Sequence, residues 1–205
     1  MYLVILFGAL ILFARFMGDK IGDVTLFGVT FGVTVVVTAM LLPLRDAIHQ
    51  IRGRRYVLLT IFLAGTIIYV FFPTIDYPEL QLPSTMAYVA ALIWMELVDS
   101  LFYAIFRRWG WGPGVVISDL VAAPLLAIVF IWLIFGELQS RGLTALVGYD
   151  SRWEWTKDYI VNGDLLAKYL TLVVIYVILF TTNLPTRMSG LPMFKRADQE
   201  VQHAE

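Results

Sequence analysis

The chain contains no cysteine. That absence removes disulfides, thiolate-bound zinc, iron–sulfur clusters and thiol nucleophiles together. Histidine is nearly as scarce: His49 lies beside a basic connection and His203 near the C-terminal end, which leaves no buried pair for haem ligation. Charged residues make up 15% of the chain, against about 25% in soluble domains. A formal net charge of −1 gives no bulk field for holding nucleic acid. No HExxH, GxSxG or phosphate-binding loop occurs, and Ser100, next to Asp99, has no base in view to activate it. These gaps point to a protein that is not an enzyme, takes no cofactor or metal and has no nucleic-acid partner.

What the chain does have is apolar surface. Hydrophobic residues make up 60% and the mean hydropathy is +0.78, where soluble domains hold about 45–50% apolar residues. A helix needs about 20 mostly apolar residues to cross roughly 30 Å of hydrocarbon. Six segments meet or approach that length: residues 1–17, 24–45, 56–73, 84–106, 115–136 and 164–185. The first, MYLVILFGALILFARFMGD, lacks the positive leader and small-residue cleavage site of a secretory signal, so it is expected to stay as a span. The fold expected is an all-α integral membrane protein, a bundle of six transmembrane helices over residues 1–185 with a polar cytoplasmic tail at 186–205.

Basic residues orient the bundle, because they collect in cytoplasmic connections. Arg45, Arg52, Arg54 and Arg55 lie between the second and third spans, Arg107 and Arg108 follow the fourth, and Arg187, Lys195 and Arg196 are in the tail. The alternate connection PTIDYPELQLPS has no lysine or arginine, and residues 137–163 carry both signs. Both termini are therefore expected on the cytoplasmic side of a plasma (inner) membrane. In the last connection, Trp153, Trp155 and Tyr159 are spaced for an amphipathic helix lying in the outer interface.

Ionisable residues inside spans are functional candidates by default. Glu96 and Asp99 are three apart and share a helix face. At 1.5 Å per residue, Glu96 falls about 18 Å in from Ser84, near the midplane, with Asp99 about one turn nearer the cytoplasm. Lys168 has a functional reading, bonding a nitrile or carbonyl acceptor of a ligand or holding an acid in its charged form, and three structural ones: an ion pair with these acids, a local pair with Asp164 four residues earlier, or snorkelling to the interface. Asp46 and Asp119 read as charge pairs at the membrane boundary, Asp46 with Arg45 and Arg52, Asp119 with Arg107 or Arg108. Arg15 reads as a snorkelling residue at the outer interface. Gly28 and Gly32 form GVTFG, a small-residue helix face for internal packing or for docking a second copy or partner subunit. Pro43 and Pro124 interrupt the second and fifth spans, and Pro124 hints at a cavity.

In order and spacing, four stretches resemble the VUT family of queuosine-precursor or vitamin-uptake transporters. They are RDAIHQIRGRRYVLL, MAYVAALIWMELVDSLFYAIFRR, VVISDLVAAPLLAIVFIWLIFGEL and GDLLAKYLTLVVIY. The resemblance covers about residues 24–185. It implies a six-helix importer of a 7-deazaguanine base, with Asp46, Glu96, Asp99, Asp164 and Lys168 as the residues carried over by motif position. It also allows a plan like the substrate-binding component of an energy-coupling-factor transporter, with a partner ATPase. One departure stands out: Leu126 and Ala127 occupy the positions where the family has an Asp followed by Ser or Thr.

Independently of the family, a midplane carboxylate can accept both adjacent donors of a guanine-like edge. Glu96 is placed for that contact, and Trp94, Phe102, Tyr103 or Trp132 can supply stacking area. The alternative from a different class is a structural or assembly subunit, with the acids in internal salt bridges.

Overall fold

A backbone in lipid must satisfy its own hydrogen bonds, and a chain this apolar meets that demand mainly with helices. The computed structural model describes residues 2–26, 28–72, 80–161 and 163–182, and the described structure is 87% helical. Helix α1 runs Tyr2–Lys20, α2 Val33–Arg52, α3 Arg54–Phe71, α4 Gln81–Phe106, α5 Trp111–Ser140, α6 Arg152–Val161 and α7 Asp164–Thr182. Among the described residues, four stretches are long and apolar enough to cross a membrane: Arg54–Phe71, Gln81–Phe106, Gly112–Ser140 and Asp164–Thr182. That is the composition of a multi-pass membrane protein. Leu59, Leu63, Phe71, Leu170, Val173 and Val177 are exposed on these helices, as lipid-facing side chains would be. The expected tail at 186–205, with Arg187, Lys195, Arg196 and His203, lies outside the described residues, as do residues 73–79 of the expected connection.

The expected second span is corrected by the structure. Residues 24–32 are not helical; β1 (Asp23–Leu26) and β2 (Val29–Gly32) form an antiparallel hairpin with Asp23 opposite Gly32 and Leu26 opposite Val29. The physical reason is visible in FGVTFGVT. Alternating β-branched residues favour extended backbone, and Gly28, at φ +80°, takes the left-handed conformation of a tight hairpin loop. The Thr25 and Thr30 hydroxyls lie 2.8 Å apart across the ladder. Gly28 and Gly32 are therefore not one face of a helix, and a docking face of that kind is not formed. The fold is helical with one small hairpin rather than all-α.

Helix α2 begins only after the hairpin and continues to Arg52, seven residues beyond the expected end at 45. Gly53, at φ +88°, then turns the chain sharply into α3, and its N–H bonds the His49 carbonyl at 3.0 Å. At the opposite end of α3, Gln81 Nε2 donates to the carbonyls of Tyr69 and Phe72, satisfying acceptors that a helix end leaves open. Gly65 allows α3 and α4 to approach closely: a Cβ there would meet Val89 Cγ2 at 2.4 Å.

Pro124 sits inside α5 and cannot donate to the Leu120 carbonyl four residues back. The Tyr169 hydroxyl of α7 takes that place, donating to Leu120 O at 3.0 Å. The core that joins the helices includes Phe7, Ile11, Leu41, Leu42, Ile61, Leu92, Met95, Ala122, Ala123 and Leu172.

Candidate functional site

Two polar regions sit in the bundle. One lies toward the end carrying the α2–α3 and α4–α5 connections, with Arg52, Arg54, Arg55 and Arg108, and is called the basic end. The other lies toward the hairpin and α6.

At the basic end, Arg45 is fully buried among acids. Its Nη2 lies 2.7 Å from Asp99 Oδ1 and 3.0 Å from both Asp46 Oδ1 and Asp119 Oδ1. Its Nε lies 3.3 Å from Glu96 Oε2. Arg54 reaches Glu96 Oε1 from the rim at 3.7 Å, Ser100 donates to the same oxygen, and the Tyr176 hydroxyl donates to Asp119 Oδ2. One oxygen each from Asp46, Asp99 and Asp119 lies within 4.8 Å of the others, a spacing suited to a cation. The Arg45 guanidinium already stands in that position. Removing one member of such a buried network costs about 3–5 kcal/mol, because the remaining charge loses its partner.

Four sequence expectations change here. Glu96 has local cations, Arg45 and Arg54. Arg45 is not an exposed loop residue but the hub of the network. Asp119 pairs with Arg45 and Tyr176 in the interior; the Arg107 side chain, one of its two expected partners, lies outside the described residues. The acids do not pair with Lys168.

The second region is a cavity of about 300 Å³ at the hairpin half of the bundle, at the small end of the roughly 300–1,000 Å³ typical of ligand pockets. Helix α1 contributes Arg15, α2 Thr34 and Thr38, and α4 Ser84, Thr85 and Tyr88. Its far wall is Leu126, Ala127 and Phe130 of α5, with Lys168 of α7 and Tyr159 of α6. Tyr88 and Phe130 meet edge to face, centroids 6.4 Å apart. The Tyr88 and Tyr159 hydroxyls are buried without a hydrogen-bond partner. Lys168 is 1% exposed, and its Nζ donates to the Ala123 carbonyl at 2.5 Å. On α5 the cavity wall starts at Leu126, two residues past Pro124, which does not itself line it.

The two regions are stacked. Thr38 and Arg45, Tyr88 and Glu96, Leu126 and Asp119, and Lys168 and Tyr176 are each seven or eight residues apart on one helix, which is about 11–12 Å. Leu41, Leu42, Leu92, Met95, Ala122, Ala123 and Leu172 fill the layer between.

Of the residues singled out in the sequence, Lys168 alone among Glu96, Asp99, Asp164, Lys168, Trp94, Tyr103 and Trp132 lines this cavity among the described residues. Asp164 does not pair with Lys168; its Oδ1 accepts the Gly32 N–H at 2.7 Å, tying the hairpin to α7. Trp94 is about half exposed on the outside of α4. Trp132 donates to Thr156 Oγ1 at 3.1 Å and stacks under the Arg152 guanidinium, joining α5 to α6. Tyr103 packs against the main core.

Sequence reasoning missed Tyr88 and placed Tyr159 in the interface. Tyr88 shares a face with Ser84 and Thr85, a polar stripe one turn long that could have marked it.

A wider, more open concavity lies outside, between the hairpin and α6–α7, with Asp23, Asp158 and Asp164 on its walls. There the Tyr149 hydroxyl donates to Asp158 at 2.5 Å, and burial, then that bond, push it up to about 12.

No protein-family model, curated protein or solved structure matches this chain.

Proposed function

We propose that this chain is a plasma-membrane importer of a small planar heterocycle, of the 7-deazaguanine class, held in the cavity of the hairpin half. The carrying observation is a pocket of suitable size, walled by Tyr88, Phe130 and Tyr159 and containing buried hydroxyls that no described group satisfies. Buried polar atoms are rarely left unpaired, and a ligand with matching donors and acceptors would complete them. In this reading six helices, α1 to α5 and α7, cross the membrane with both termini cytoplasmic, and the hairpin and α6 cover the outer side. The ligand enters past α6 and rests above the apolar layer.

The Arg45 network then forms the inner plug. Glu96 and Asp99 hold α2, α4 and α5 together around Arg45 instead of meeting the ligand, and their partners must exchange for the path to open inward. The chain acts by binding and conformational change, not by catalysis. The assembly-subunit reading loses its proposed docking face, because Gly28 and Gly32 lie in the hairpin.

Purified protein in nanodiscs, titrated with 7-cyano-7-deazaguanine, tests the proposal. Saturable binding that weakens in Tyr88→Phe and Tyr159→Phe is expected. Binding that is unaffected by either substitution would move the site elsewhere.

A further inference from the structure

Resting on the importer reading, we infer that the cavity selects a ligand with a carboxylate, or an equally strong acceptor end, directed at Lys168, and rejects matched cationic amines. The inference comes from the charges that line the cavity. Arg15 and Lys168 both face it, and no Asp or Glu lines it among the described residues. A lysine ammonium offers three donors, and the Ala123 carbonyl takes one of them. No carboxylate lies within ion-pair distance of Lys168 among the described residues. Asp119 and Asp164 act on Lys168 through space, but both are committed elsewhere: Asp164 accepts the Gly32 N–H, and Asp119, about one turn from Ala123 on α5, is held by Arg45 and Tyr176.

A buried ammonium without a counter-ion is costly. An anionic ligand supplies that counter-ion where water is scarce and charge–charge attraction is strong. The Tyr88 and Tyr159 hydroxyls, buried and without partners, line the same cavity and offer two further donors. Leu126 and Ala127 give only apolar surface on the α5 wall, so no acid is placed to receive a ligand amine. An ammonium would meet like charge, which is strongly unfavourable at a desolvated contact.

The test uses two matched pairs on full-length protein in nanodiscs, read by titration calorimetry. One pair is 7-deazaguanine bearing a 7-carboxylate and the same base bearing a 7-aminomethyl group; the other is benzoate and benzylamine. The acid of a pair is expected to bind about tenfold or more tighter than its amine. Lys168→Met should erase that preference and Lys168→Arg should keep it. Arg15→Gln, farther toward the rim, should reduce it and serves as the second variant if Lys168→Met does not fold. Amines that bind as tightly as acids, or a preference that survives both Lys168→Met and Arg15→Gln, would overturn the inference. If the bases fail but benzoate binds with Lys168-dependent preference, the 7-deazaguanine reading falls and the charge selectivity stands. If neither pair binds, the inference falls.

Discussion

The two polar regions of this bundle are built from similar material and left in opposite states. At the basic end, four carboxylates, Arg45 and the Tyr176 hydroxyl are drawn together by ion pairs, although Arg45 Nη1, Asp46 Oδ2 and the Asp99 oxygens find no well-aligned hydrogen bond. In the hairpin half, Lys168, Tyr88 and Tyr159 surround a cavity and are engaged with little. The density of charge therefore says little about where a ligand binds. What sets the second region apart is polar capacity beside empty volume, and the importer proposal rests on that difference, with the acids that dominate the sequence assigned to the scaffold.

The comparison can be broken most forcefully at Arg45. Arg45→Met leaves Asp46, Asp99, Asp119 and Glu96 without their buried cation, and a loss of about 3–5 kcal/mol is expected. A large fall in unfolding temperature in detergent checks it, and a stability near wild type would mean the acids do not depend on Arg45. Gly65→Leu probes the close approach that frames α3 and α4. Its side chain would run into Val89, with an expected cost of about 1–3 kcal/mol, measured in the same assay.

The tyrosines give the finest contrast. Tyr169→Phe strips the donor from the Leu120 carbonyl that Pro124 leaves open, so a loss of about 1 kcal/mol is expected. Tyr88→Phe removes a hydroxyl with no partner, and a stability change within about 0.5 kcal/mol is expected. Ligand affinity should move the other way: weaker in Tyr88→Phe, and little changed in Tyr169→Phe. Equal stability losses in both would erase the distinction between spent and unspent hydroxyls.

Much of the framework was legible because lipid imposes long apolar runs. Segments α3, α4, α5 and α7 begin and end within a few residues of the expected bounds, and a helix forms at Trp153, Trp155 and Tyr159 as α6, though Tyr159 turns inward. The hairpin was hidden because valine, threonine and phenylalanine read as apolar whether they run in a helix or alternate in a strand. The period of two in VTLFGVTF was the available signal. Arg45 was hidden for a related reason. Hydropathy ends a span at the first charge, whereas α2 carries Arg45 and Asp46 into the protein interior and stops only at Arg52. The acids of α4 were visible; their partner was not, because a buried ion pair between distant helices leaves no trace in either segment alone. Tyr88 and Tyr159 could not be ranked from sequence, since an unsatisfied hydroxyl is a property of the packed bundle.

The most direct test sets Glu96→Gln beside Lys168→Met in one binding titration with the same ligand. The account predicts a loss of about tenfold or more for Lys168→Met and less than about threefold for Glu96→Gln. The reverse order, with Glu96→Gln abolishing binding and Lys168→Met leaving it intact, would place the ligand at the Arg45 network and contradict the account.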